Sequence, residues 1–250
     1  ANGVVTGTNQ IVGNNSLHVV SLNGKTNAIS DTTRIDGFVV TAGQANGAQP
    51  PENMGGGLFC DGSAKGTCSP TLINMTFSGN RAKENGGAIY NFGQGGASSP
   101  TLTNVIFSGN SAQYGGALYN YGGVSGNSSP TLINVTFSGN AAGNWGGALL
   151  NQGENGGNSS PTLTNVTFSG NRARTQGGAI YNYGSRNGNS IPILTNVILW
   201  KNSAPQGPSI YNLDKAGVSI KNSLVDGGKG SIAGTSANFV TYDAANLTSD

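Results

Sequence analysis

Residues able to do chemistry are sparse in this sequence. His18 is the only histidine, its neighbours Leu17, Val19 and Val20 are apolar, and no nucleophile motif supplies a Ser or Cys partner. A structural histidine in a capping strand is the expectation. The ten acids are Asp31, Asp36, Glu52, Asp61, Glu84, Glu154, Asp214, Asp226, Asp243 and Asp250. Glycoside hydrolysis needs two carboxyl groups about 5 to 9 Å apart, and lyase chemistry at uronic acids needs a base with Ca²⁺ or a cation beside the sugar carboxylate. No acid recurs at a fixed period. Asp31, Asp36, Glu52 and Asp61 form the one local concentration, and they read as solvated loop carboxylates before they read as a Ca²⁺ or acid/base cluster. The Gly-rich stretch Gly122-Gly123-Val124-Ser125-Gly126 lacks the Lys-Ser/Thr and the helix of a phosphate cradle, so it reads as a loop. No catalytic residue, metal site or cofactor is expected.

Cys60 and Cys68 lie eight positions apart across the turn-rich Asp61-Gly62-Ser63-Ala64-Lys65-Gly66-Thr67. A disulfide is favoured over free thiols, since a metal site would lack nearby His or further Cys ligands.

What does repeat is a block. Thr71-Leu72-Ile73-Asn74-Met75-Thr76-Phe77-Ser78-Gly79-Asn80 returns from Thr101, Thr131 and Thr162 and more loosely from Ile193, at intervals of 30, 30, 31 and 31 residues. Each copy is followed by Gly86-Gly87-Ala88-Ile89-Tyr90-Asn91 or its equivalents from Gly115, Gly146 and Gly177, and by a degenerate Gly207-Pro208-Ser209-Ile210-Tyr211-Asn212. Such a period means a solenoid whose coils bury a narrow continuous core. Parity within a block changes at Asn104: Leu102 and Asn104 share one face, Val105 and Phe107 the other, so the chain turns there. Asn tolerates the left-handed backbone of such a turn and stacks amide on amide. An internal ladder of Asn74, Asn104, Asn134, Asn165, Asn196 and Asn222 is expected, so the sequons at Asn74, Asn134 and Asn165 are not read as glycosylation sites. A second ladder is expected at Asn80, Asn110, Asn140, Asn171 and Asn202, beside a stack of Phe77, Phe107, Phe137 and Phe168 continued by Leu199. Gly and Asn interrupt every helical window.

The fold class expected is all-β: a right-handed, single-stranded parallel β-helix of about seven coils in one domain. Residues 1–33 are expected to form an N-terminal coil and cap, 34–213 the repeat core, and 214–250 a C-terminal coil and cap. Charged residues are only 9% of the chain, against about 25% in an average soluble domain, so uncharged polar groups must solvate it. The net charge is +2, from twelve Lys and Arg against ten acids, and the cations are scattered singly along the sequence, which predicts no basic face and no nucleic-acid partner. The longest apolar runs fall far short of the roughly 20 residues of a membrane-spanning helix. No signal-peptide pattern opens the chain, and Ala1 fits a mature terminus left by cleavage; export is the expectation.

The paired signatures Gly-Gly-Ala-Ile/Leu and Phe-x-x-Asn, repeated between Thr71 and Asn182, resemble the middle domains of bacterial polymorphic outer-membrane proteins and related β-helix repeat proteins. The resemblance implies export, a right-handed β-helix and adhesion, at an extracellular or bacterial cell-surface location. Unlike those proteins, the chain reaches Asp250 without the long amphipathic strands of a translocating barrel.

Two outward columns are the candidate binding surfaces, because a solenoid multiplies a weak contact by its number of coils. The first is Thr71, Thr101, Thr131 and Thr162 with Ile73, Thr103, Ile133, Thr164 and Thr195, of parity opposite to the buried Leu. Such rows resemble those of ice-binding solenoids, and equally they are ordinary strand formers on an exposed sheet. The second is Tyr90, Tyr119, Tyr181 and Tyr211 with Phe92, Tyr121 and Tyr183 two residues on, interrupted by Leu150 and Gln152. With Ile89 and Asn91 inward, these rings form an exposed aromatic stripe, unless Gly-rich loops fold over them. The expected function is non-enzymatic adhesion, surface binding or self-assembly into filaments, with a glycan, a surface or a protein partner, a second copy included. Ice binding and a polysaccharide-active lyase or hydrolase are the alternatives.

Overall fold

The computed structural model describes residues 6–10, 13, 15–235 and 240–249; Ala1 and Asp250 lie outside them. The chain winds as a right-handed parallel β-helix. Three sheets of eight strands and one of five run its length, every strand pair parallel. The sheets therefore stack eight rungs, one more than expected. Segments 1–33 and 214–250 both contribute strands: Val20–Asn23 pairs with Leu58–Asp61, and Val218–Lys221 pairs with Ile193–Thr195 and Val240–Tyr242.

One coil shows the route. Thr101–Thr103 lies on a Thr face, Ile106–Ser108 on a Phe face, Ser111–Tyr114 on an Ala face and Leu118–Gly123 on a Tyr face. Each of these strands turns an apolar residue inward, in register with its copies above and below: Leu102 with Leu72 and Leu132, Phe107 with Phe77 and Phe137, Leu118 with Ile89 and Leu149. All of them are fully buried. The Phe column stacks as expected, with ring centroids 4.7 Å apart from Phe107 to Phe137 and from Phe137 to Phe168, and Leu199 continues it in register.

The corner after Thr103 is made by Asn104 at φ 55°, and its counterparts from Asn74 to Asn222 all lie between 49° and 57°. These asparagines form a ladder, but on the outside. Asn104 Nδ2 donates to Asn74 Oδ1 at 3.1 Å, and Asn134, Asn165 and Asn196 follow the same pattern, all with exposed side chains. The expected internal position is wrong because both flanking residues, Leu102 and Val105, already fill the interior, and a corner between two inward side chains must point its own outward. The sequons at Asn74, Asn134 and Asn165 thus lie at the surface. The second expected ladder is internal: Asn80, Asn110, Asn140 and Asn171 are fully buried, each Nδ2 donating to the next Oδ1 at 2.9–3.1 Å along the run to Asn202.

The Gly-Gly pair between the Ala and Tyr faces has two distinct causes. Gly115 adopts φ 59°, a left-handed turn, while a Cβ on Gly116 would lie 2.2 Å from the Gly147 carbonyl oxygen of the next coil. The first glycine meets a backbone requirement and the second a close approach.

Cys60 and Cys68 are joined by a disulfide. They take the places held one coil on by Asn91, in register with Cys60, and Ser98, next to the Thr67–Ala97 bridge.

Candidate functional site

The Tyr face carries the aromatic residues, and their burial differs from the expected stripe. Tyr90, Tyr119, Tyr181 and Tyr211 are only 4%, 6%, 1% and 8% exposed. The Ala face folds outward beside them and supplies the cover. Tyr114 and Trp145 come from its far end, and Trp145 stacks on Tyr181 at 5.2 Å with an interplanar angle of 8°. Leu150 had broken the column in the sequence; the Trp145 ring fills that gap. Below, Phe59 stacks on Tyr90 and His18 on Phe59, with His18 Nδ1 within 3.0 Å of the Gly55 carbonyl. His18 therefore caps the aromatic stack.

The outer rank is different. Phe92, Tyr121 and Tyr183 are half-buried, and Phe92 stacks on Tyr121 at 5.8 Å and 13°. Phe92, Tyr121, Phe59 and the edges of Tyr90 and Tyr119 line a groove of about 480 Å³ whose opposite wall is Pro50, Pro51 and Met54. Polar groups ring it. Lys25 Nζ pairs with Asp61 at 2.8 Å at one end. At the other, Tyr121 donates to Glu154 Oε1 at 2.6 Å and Tyr119 donates to Gln152. Gln94 and Asn85 complete the rim. Burial, reinforced by the Glu154 carboxylate, holds the Tyr121 phenol above its ordinary pKa; burial likewise raises Tyr90 and Tyr119. The groove thus presents neutral phenols at any physiological pH.

Asp61 is not a solvated loop acid: it is 5% exposed and also accepts from Ser63. It stands apart from Asp36, which pairs with Arg34 on the Thr face. Asp61 aligns with Phe92, Phe92 with Tyr121, and Tyr121 with Gln152, the coil of Glu154. Three coil spacings separate the two carboxyl-bearing strands, about 14 Å at the usual 4.8 Å per rung, beyond the separation that glycoside hydrolysis uses.

On the Thr face, Thr71, Thr101, Thr131 and Thr162 stand in strict register, followed by Ile193. Ile73, Thr103, Ile133, Thr164 and Thr195 form the second column. Thr162 and Ile193 are exposed and the others are half-buried. The face begins at Arg34 and Asp36 and continues to Ser219 and Lys221.

One feature runs against the reading of scattered cations. Arg81, Lys83, Arg172 and Arg174 are all exposed and lie on the Ala face, brought together from two stretches of sequence by the coil register.

No helix among the described residues is long and apolar enough to cross a membrane. No curated protein and no solved structure matches the chain. The family model of the Chlamydia polymorphic membrane protein repeat matches it four times, at residues 74–91, 104–121, 134–152 and 165–183. Each match runs from the exposed Asn of the Thr/Phe corner through the Gly-Gly pair into the Tyr face. That repeat belongs to bacterial surface proteins that are not enzymes. The coil geometry and the four matches agree: the chain carries four copies of a polymorphic-membrane-protein-like repeat, wound as a parallel β-helix.

Proposed function

We propose that the chain is a non-enzymatic, surface-located adhesive β-solenoid that holds a glycan in the groove of the Tyr face. The observation that carries this reading is the stacked Phe92–Tyr121 pair, half-buried at the floor of a groove rimmed by Gln94, Gln152, Asp61 and Glu154. Aromatic faces take the apolar C–H face of a sugar ring, while carboxamides and carboxylates at the ring edge accept and donate to its hydroxyls. The rigid coil stack beneath holds these groups in place before any ligand arrives, which lowers the ordering cost of binding. A glycan-array screen tests the reading. Wild type binds a subset of sugars, and Phe92→Ala/Tyr121→Ala loses those signals while keeping its unfolding temperature within a few degrees. Equal array signals from the two proteins would remove the groove as the site.

A second reading rests on the Thr face, where Thr71, Thr101, Thr131 and Thr162 repeat in register at about the 4.8 Å rung spacing. Ordered hydroxyls and methyls on a flat sheet fit ice binding. Thermal hysteresis in wild type and its loss in Thr101→Lys would support it; no freezing gap in wild type would dismiss it.

A further inference from the structure

The Ala face holds a second feature, independent of the aromatic groove. Its inward column, Ala45, Ala82, Ala112, Ala142 and Ala173, has side chains too short to push the sheet away from its neighbours. Outside, two adjoining hollows of 760 and 510 Å³ share Ser111, Ala112 and Gly143 and form one continuous trough. Thr8 lines one wall near the Gln44 end.

The lining is patterned. Arg81, Ser111, Ala141 and Arg172 stand in register on four successive coils. Lys83 and Arg174 lie two residues further along the first and last of these coils, fixed by backbone bonds from Lys83 N to the Ala45 carbonyl and from Arg174 N to the Ala142 carbonyl. One cation pair thus stands a coil in from Gln44 and the other at the far end, about 14 Å apart over three rungs, with Ser111, Gln113, Ala141 and Gly143 between. No acid lines the trough, and among the described residues none of the four cations enters an ion pair. Four of the twelve Lys and Arg of a sparsely charged chain are therefore on one concave surface without counter-charge.

We propose that this trough binds an acidic polysaccharide, with carboxylate or sulfate groups at the two cation pairs and sugar hydroxyls over Ser111 and Gln113. Guanidinium forks suit both anions. The lining favours a polysaccharide over a single-stranded nucleic acid: it has no aromatic ring on which a base could stack, and it offers hydroxyl and amide groups between the cation pairs for sugar hydroxyls.

Binding of heparin, as a sulfated-polysaccharide probe, to the full chain tests this. Arg81→Ala/Lys83→Ala and Arg172→Ala/Arg174→Ala each weaken binding roughly tenfold at low salt and reduce the slope of log K against log salt by about 2. Lys215→Ala/Lys221→Ala removes the same charge elsewhere and changes affinity less than about threefold, through long-range attraction alone. Ala141→Glu, at an exposed position in the neutral middle, lowers affinity with all four cations intact. The proposal is overturned if heparin does not bind, if the Lys215/Lys221 control falls as far as the trough variants, or if a single-stranded oligonucleotide or poly-glutamate of matched charge binds as tightly as heparin. Loss of array binding in Phe92→Ala/Tyr121→Ala bears only on the aromatic groove, so the two sites fail separately.

Discussion

Cys60 stands directly below Asn91 in the stack of coils, and with that exchange a buried amide ladder ends. From Asn91, each Nδ2 donates to the next Oδ1, through Asn120, Asn151 and Asn182 to Asn212, at 2.8–2.9 Å. Five amides make four bonds and leave one orphan at each end. Within this ladder the buried groups without partners are Asn91 Oδ1, above Cys60, and Asn212 Nδ2, in register with Gly234. The disulfide replaces the Asn and Ser of a regular coil with a covalent clip at the point where the ladder stops.

Removing that clip should separate its two roles. Cys60→Ala/Cys68→Ala loses the constraint of an eight-residue link, worth about 2.5 kcal/mol from loop closure. Cys60→Asn/Cys68→Ser loses the same constraint but gives Asn91 Oδ1 a donor and so recovers about 1 kcal/mol. Chemical denaturation of the two variants compares them; equal stabilities would mean that the ladder does not extend.

Asn140 makes a sharper case. It is fully buried, and its Oδ1 accepts from both the backbone N–H and the Nδ2 of Asn110, while its own Nδ2 reaches the Phe107 carbonyl and Asn171. Asn140→Ala strands groups on both sides, and each buried orphan costs about 1–3 kcal/mol. A loss of 3 kcal/mol or more in equilibrium unfolding is the expected outcome, comparable to that of Phe137→Ala in the adjacent stack. Asn104→Ala, on the exposed ladder, should cost much less.

The period, the turn at Asn104, the Phe stack and the Asn80 ladder were all legible, because identical side chains at one interval have a single way to superpose. Four things were not. The Asn104 ladder was placed inside, since amide stacking alone does not say which way a corner points. The Asn91 ladder went unread although Asn91, Asn120, Asn151, Asn182 and Asn212 recur in the Gly-Gly block. The burial of Tyr90 and its copies depends on Trp145 and Tyr114 arriving from the neighbouring face, and the trough on Arg81 and Arg172 meeting across 91 positions of sequence; neither follows from spacing within one strand. Trp145, just before Gly146 in the coil where Leu150 lacks a ring, was the available signal for the burial of the Tyr column.

The turn after the Phe face offers a paired test of backbone strain. Gly79, Gly109, Gly139 and Gly170 hold φ near 61–63°, and Lys201 occupies the same corner at 50°. A Cβ on Gly139 would meet nothing within 4 Å, so Gly139→Ala measures conformation alone and should cost about 1 kcal/mol. Lys201→Gly should stabilise by a similar amount. Thermal unfolding of both variants checks the opposite signs.

Acid sensitivity should report on the end of the exposed ladder. Asn74 Nδ2 donates to Asp36 Oδ1 at 2.9 Å, and Arg34 holds the other oxygen. Arg34 first and Asn74 second lower the Asp36 pKa below its ordinary value of 3.8. In the acid range the unfolded chain then binds a proton that the folded chain does not, so this contribution is present above the ordinary carboxyl range and fades as pH falls through the lowered pKa. Asp36→Asn should flatten the stability profile below about pH 4; an unchanged acid limb would show that Asp36 is not coupled to folding.

The aromatic groove is the central claim, and saturation-transfer NMR measures it most directly. With the aromatic protons of the protein irradiated, a glycan bound in the groove should receive saturation first at the C–H protons of the ring face that lies on Phe92 and Tyr121, and Phe92→Ala/Tyr121→Ala should abolish it. Equal transfer in the folded double variant, or transfer to no sugar of a broad panel, would contradict the account.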